Sequence, residues 1–162
     1  MKTLAYIIAR AAGRDARRMP ARTPALLVLA LLAGCVSGSD IEELNRVAQN
    51  RGYIQDAFFG FDEATLSADA QSALTASADW LKKNGQYNLL VEGHCDERGT
   101  EQYNLALGDK RANTAKEYLQ TLGVDGGRIR TVSYGEERPF DPGHDEAAWA
   151  KNRRAHLVLV GK

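Results

Sequence analysis

The chain has 162 residues, and its 21 basic and 21 acidic side chains cancel formally. Six of the basic residues and one of the acidic ones precede Cys35, which leaves 15 against 20, a net charge of −5, on the remainder. That sign removes the electrostatic case for nucleic acid, and the roughly 128 residues from Cys35 onward bound one domain plus a tether.

Residues 25–33, ALLVLALLA, form a short apolar run behind Arg14, Arg17, Arg18 and Arg22. This is the layout of a signal peptide, and the run falls short of the ~20 residues a membrane-spanning helix needs. Residues 1–34 are therefore expected to be a leader, and a start at Met19 would give it a more compact form. Leu32-Ala33-Gly34-Cys35 resembles the lipobox of bacterial lipoproteins, which implies lipidation of Cys35 and anchoring by several acyl chains. Val36 in the second position resembles the enterobacterial pattern for sorting to the outer membrane. With Cys35 acylated, Cys95 has no intramolecular disulfide partner and is read as a small, half-buried apolar side chain.

Residues 35–52 read as the lipidated cysteine and a flexible tether, with at most a turn or two of helix over residues 41–47. Seventeen extended residues would reach roughly 60 Å. The domain proper is expected over residues 53–162, starting with a strand at residues 57–61 that Asp62 and Glu63 close. Ser67 is a good N-cap for a helix whose Ala70, Leu74, Ala78 and Leu81 form an apolar stripe, ending at Asn84-Gly85. Residues 88–91 are a second strand. A short helix over residues 102–107 is expected to break at Gly108, and a new one carries Ala112, Ala115, Leu119 and Leu122 up to Gly123. A third strand at 128–134, a short helix at 146–151 and a final strand at 155–160 complete the chain. Strand–helix alternation of this kind predicts an α/β sandwich with helices packed on a mixed four-stranded sheet.

Between the second strand and the next helix lies EGHCDERGTEQYNLALGDKR, residues 92–111, with five acidic and three basic side chains. Charges gathered at the end of a buried strand form a polar rim on a rigid element, where binding sites tend to lie. The string GHCDERGT followed by YNLALGDKRANTAKEYL resembles the OmpA-like peptidoglycan-binding family over about residues 53–160. His144-Asp145-Glu146-Ala147-Ala148-Trp149 and the run SYGEERP, residues 133–139, narrow the likeness to its peptidoglycan-associated lipoprotein branch.

The resemblance implies a non-catalytic outer-membrane lipoprotein that faces the periplasm and binds the wall through meso-diaminopimelate in the stem peptide. That residue offers an ammonium and a carboxylate together, which a carboxylate and an arginine fork complement. By the family motif Asp96 takes the ammonium and Arg111 the carboxylate, with backbone amides near Gly108 and Asp109 adding anion binding. Phe61, Asp62, Glu97, Thr100, Tyr103, Asn104 and Leu107 match positions that wall the pocket. Without the resemblance, Asp96 and Arg111 read as a simple salt bridge that fastens loop to helix. Of Arg153 and Arg154, one is expected to pack near the pocket and the other to face solvent.

The same likeness implies membership in the Tol-Pal system. Its partners would be TolB and TolA, and its role outer-membrane integrity and constriction at division. A passive wall anchor without Tol partners is the alternative. No cofactor is expected. A metal enzyme is set aside because His94, Cys95 and Asp96 are consecutive and alternate in direction, and no paired metal-ligand spacing occurs. The GxSxG elbow of a serine hydrolase is missing.

Overall fold

The computed structural model describes residues 38–161. The leader, Cys35 and Val36, on which the lipidation and sorting expectations rest, lie outside the described residues. The elements in chain order are α1 (Gly38–Asn50), β1 (Ala57–Phe58), α2 (Ala68–Lys83), β2 (Tyr87–His94), α3 (Glu101–Thr121), β3 (Ile129–Gly135), α4 (Glu146–Asn152) and β4 (Arg154–Gly161). The sheet order is β1-β4-β2-β3, with β2 and β3 parallel and the other pairs antiparallel. This is the mixed four-stranded sheet expected from the pattern of elements.

The core forms where strand alternation meets helical stripes. Leu89 and Val91 of β2 pair in register with Leu159 and Leu157 of β4, and all four are buried. Ala70, Leu74, Ala78 and Leu81 of α2, and Ala112, Ala115 and Leu119 of α3, are the buried faces of the two long helices. Ser67 caps α2 as expected, its Oγ accepting from the Ala70 N–H at 3.2 Å.

The first strand, expected over residues 57–61, pairs only over Ala57–Phe58, and two further expectations fail for tertiary reasons. The predicted break at Gly108 does not occur, because α3 is one helix of 21 residues. Gly108 instead lets α3 lie against β2: a Cβ on Gly93 would fall 1.9 Å from the Gly108 carbonyl oxygen, and one on Gly108 would fall 2.3 Å from Ser133 Oγ. Here glycine serves close approach of a helix to a sheet. The helix ends at Gly123, whose φ of 89° suits a left-handed C-terminal residue, with Gly123 N–H on Gln120 O and Val124 N–H on Leu119 O.

The second correction concerns the tether. Residues 38–50, expected to be mostly flexible, form α1, which docks on β4. β1 pairs with only two residues of β4, leaving the rest of that edge open. Asn45 fills it like a strand partner: its Oδ1 accepts from Leu159 N–H at 2.7 Å and its Nδ2 donates to Leu159 O at 2.9 Å. Gln49 and Asp56 do the same for Leu157. Covering an open edge satisfies its backbone groups and removes a template for aggregation.

Candidate functional site

β2 ends in a register shift at Gly93/His94, and the chain then crosses a short loop to Thr100, whose hydroxyl caps α3 by accepting from Tyr103 N–H. Asp96 sits in that loop, while Arg111 projects from the third turn of α3 beneath it. Buried Asn104 stitches loop to helix, its Nδ2 reaching Asp96 O and Arg98 O at 3.2 Å each and pairing with the Glu136 carboxylate. The result is a cavity of about 190 Å³ lined by Phe61, Asp62, Cys95, Asp96, Arg98, Gly99, Tyr103, Asn104, Leu107, Arg111 and Arg153.

Arg111 is 1% exposed and works inside the fold. Its Nε donates to Glu63 O (2.8 Å), Nη1 to His94 O (2.8 Å) and Cys95 Sγ (3.4 Å), and Nη2 to Gly60 O (3.0 Å). Its guanidinium therefore fastens the β1–α2 connection to the end of β2. Cys95 is buried rather than half-buried; burial pushes its thiol up to about 11, so it stays neutral and donates to Asn104 O.

Asp96 does not touch Arg111 among the hydrogen bonds and ion pairs of the site. Its Oδ1 accepts from Arg98 N–H (3.1 Å) and Nε (3.2 Å), and its Oδ2 from Arg98 Nη2 (2.6 Å) and Arg153 Nη1 (3.2 Å). Burial alone would raise its pKa, but the hydrogen bonds from Arg98 and Arg153 outweigh that and hold it below the usual 3.8. Arg153 also donates to Glu146 (2.7 Å) and Phe59 O (3.1 Å), and Arg98 Nη2 lies 3.6 Å from Glu146. Asp96, Arg98, Glu146 and Arg153 thus close a ring of alternating charges.

The mouth is aromatic. Phe61 is 57% exposed and Tyr103 51%, and the Tyr103 hydroxyl donates to the Asp62 carboxylate. Asp62 holds a φ of +58°, a conformation open to Asp more readily than to bulky residues. The Arg98 guanidinium lies between the Phe61 ring (4.1 Å) and the Trp149 ring (4.2 Å). Trp149 is fixed from behind, its Nε1 donating to Glu97, which also pairs with His144.

Of the nine residues read as pocket contacts, the structure brings seven to the cavity. Glu97 and Thr100 are not on its wall: Glu97 orients Trp149, and Thr100 caps α3. Gly108 and Asp109 lie inside α3, so their amides are not a helix terminus. Neither Arg153 nor Arg154 faces solvent; they are 6% and 7% exposed, and Arg153 alone lines the cavity. Arg98, Cys95 and Gly99 were missed as wall residues, although Arg98 follows Asp96 by two positions, the spacing at which an Asp side chain caps a turn. A cavity with Asp62 and Asp96 among Arg98, Arg111 and Arg153 carries both signs within a few ångströms and complements a zwitterion.

Residues 58–153 match the model of the OmpA family. A peptidoglycan-associated lipoprotein of Rhizobium meliloti is 41% identical over 158 residues, covering 87% of this chain and 90% of that protein. One of Haemophilus influenzae is 44% identical, covering 80% and 91%. The crystal structure of the peptidoglycan-associated lipoprotein from Burkholderia pseudomallei superposes with a TM-score of 0.63 at 45% identity, over 65% of this chain and 89% of that one. The C-terminal domain of Helicobacter pylori MotB reaches the same TM-score of 0.63 at 20% identity, a likeness of fold alone.

Proposed function

Since the chain belongs to the OmpA family, within its peptidoglycan-associated lipoproteins, we propose that it is a non-catalytic tether of the cell envelope. It binds peptidoglycan at the Asp96 cavity and is held in the outer membrane, facing the periplasm, by lipid on Cys35. The observation that carries the binding reading is the two-signed cavity between β2 and α3, whose buried carboxylate and three arginines suit the ammonium and carboxylate of meso-diaminopimelate. In this reading Asp96 accepts the ligand's ammonium. Arg111 offers the carboxylate its one guanidinium hydrogen that has no acceptor among the described residues, so it contributes a single bond rather than a fork. Through the same family likeness the chain works with TolB and TolA to keep the outer membrane intact and draw it in at division.

The test is co-sedimentation of the full-length protein, in detergent, with purified sacculi. Asp96→Asn keeps the shape of the side chain and removes its charge, and should lower pelleting affinity at least tenfold, which is about 1.4 kcal/mol. Equal pelleting by a folded variant would sink the site. TolB retained on the immobilised protein separates the Tol-linked reading from a passive anchor.

Acid provides a second handle. Asp96 has a depressed folded-state pKa, so its charge, and whatever binding and stability depend on it, is present above the usual value and lost as pH falls through the folded value. Pelleting should stay level from neutral pH to 5 and decline only below 3.8, the ordinary aspartate value. A decline centred near pH 6 would point to a histidine instead.

A further inference from the structure

The free site is already occupied from within. Asp96 accepts four hydrogen bonds, two on each oxygen, so an incoming ammonium finds no vacant lone pair and has to replace a donor. Arg153 is a poor candidate to leave: its side chain is 7% exposed and bonded to Phe59 O and Glu146 as well. Arg98 is the replaceable one. Its side chain is 31% exposed, and among the described residues its side-chain donors go only to Asp96, with Glu146 at 3.6 Å. The guanidinium lies over both the Phe61 and the Trp149 ring, 4.1 and 4.2 Å from their centroids, contacts that do not depend on its hydrogen bonds to Asp96.

A displaced guanidinium is a bare cation beside the newly bound ammonium. An amine alone would leave the two repelling each other, with only the more distant Glu146 and Glu97 carboxylates to compensate. A ligand with a carboxylate on the same carbon brings its own counter-ion, and Arg98 offers it the planar fork that Arg111 cannot.

We propose that Arg98 is the specificity-determining residue of the cavity: it covers Asp96 in the free protein, yields it to the ligand's ammonium, and takes the ligand's carboxylate in exchange. This rests on the reading of Asp96 as the ammonium acceptor. Charge is conserved in the swap: the Asp96–Arg98 pair and the ligand's own ammonium and carboxylate become a carboxylate–ammonium and a carboxylate–guanidinium pair. Selection for the zwitterion over a simple amine follows from the exchange itself and requires no rigid fit.

The test compares two soluble ligands on the full-length protein in detergent: meso-diaminopimelate, and 1,5-diaminopentane, the same carbon chain without its carboxylates. Dissociation constants are read from the Trp149 indole N–H resonance, which adjoins the displaced group. The wild type should prefer diaminopimelate at least tenfold. In Arg98→Ala that preference should collapse to threefold or less, with diaminopentane binding more tightly than in the wild type because its competitor is gone. Arg98→Lys, which keeps the charge but not the fork, should fall between them. An unchanged preference in folded Arg98→Ala overturns the proposal, and so does tighter binding of both ligands by the same factor. Asp96→Asn separates the two readings: if it binds diaminopimelate as the wild type does, the ammonium assignment itself is wrong. If it loses both ligands while Arg98→Ala keeps its preference, only the role of Arg98 falls.

Discussion

Replacing Gly93 with alanine is expected to cost about 3 kcal/mol or more and to lower the thermal midpoint by on the order of 10 °C. The added methyl would sit 1.9 Å from the Gly108 carbonyl oxygen and 2.5 Å from its carbon. Both are backbone atoms of a long helix, so no side chain can rotate away, and α3 would have to withdraw from β2. Interiors packed to crystal density transmit such a shift. Because Asn104 and Arg111 ride on α3 while Asp96 follows β2, withdrawal would also open the cavity. Gly85→Ala is the matched control, since among the described residues nothing lies within 4 Å of its new methyl. Thermal unfolding of the two variants decides the matter, and a Gly93→Ala midpoint within 2 °C of wild type would refute the close-approach account.

Arg111→Ala should be comparably damaging, at about 3–5 kcal/mol. It strands the carbonyls of Gly60, Glu63 and His94, each losing a charge-assisted hydrogen bond from a fully buried donor. It also leaves a void beneath the Phe59 ring, which the guanidinium now faces at 5.3 Å. Loss of sacculus binding in this variant would therefore report a loosened pocket floor as much as a missing ligand contact. Urea unfolding distinguishes the two: an unchanged midpoint with lost binding would mean that Arg111 acts chiefly on the ligand. Asp96→Asn is the cleaner probe of binding for that reason.

The parts legible in the sequence were those whose signal is local and repeated. Leu74, Ala78 and Leu81 announced α2 by spacing, and Ser67 announced where it begins. Gly108 misled because a glycine needed for close packing looks, in one dimension, like a glycine that ends a helix; the neighbour that explains it is 15 positions away in Gly93. α1 was hard to see since a 13-residue helix has little stability alone, and its reason for existing is an unpaired edge at the far end of the chain. Asp96 and Arg111 came from the family motif, which names positions without saying that the two are engaged elsewhere. Arg98 carries no mark in the sequence beyond its place in a charged loop, and only the Phe61 and Trp149 rings beside its guanidinium place it at the mouth of the cavity.

The docking of α1 on β4 gives the amino-terminal leash two lengths. With 13 residues wound at ~1.5 Å each, the helix spans about 20 Å, whereas the same residues drawn out reach about 45 Å. If the anchor lies at Cys35, slack is stored close to the domain and held by Asn45 and Gln49 on the β4 edge. A modest pull meets a short, stiff strap; a stronger one peels the helix away and pays out line before the sheet carries any strain. The wall contact would thus be cushioned by a shock absorber of roughly 25 Å, which a force–extension trace would register as an early yield ahead of domain unfolding.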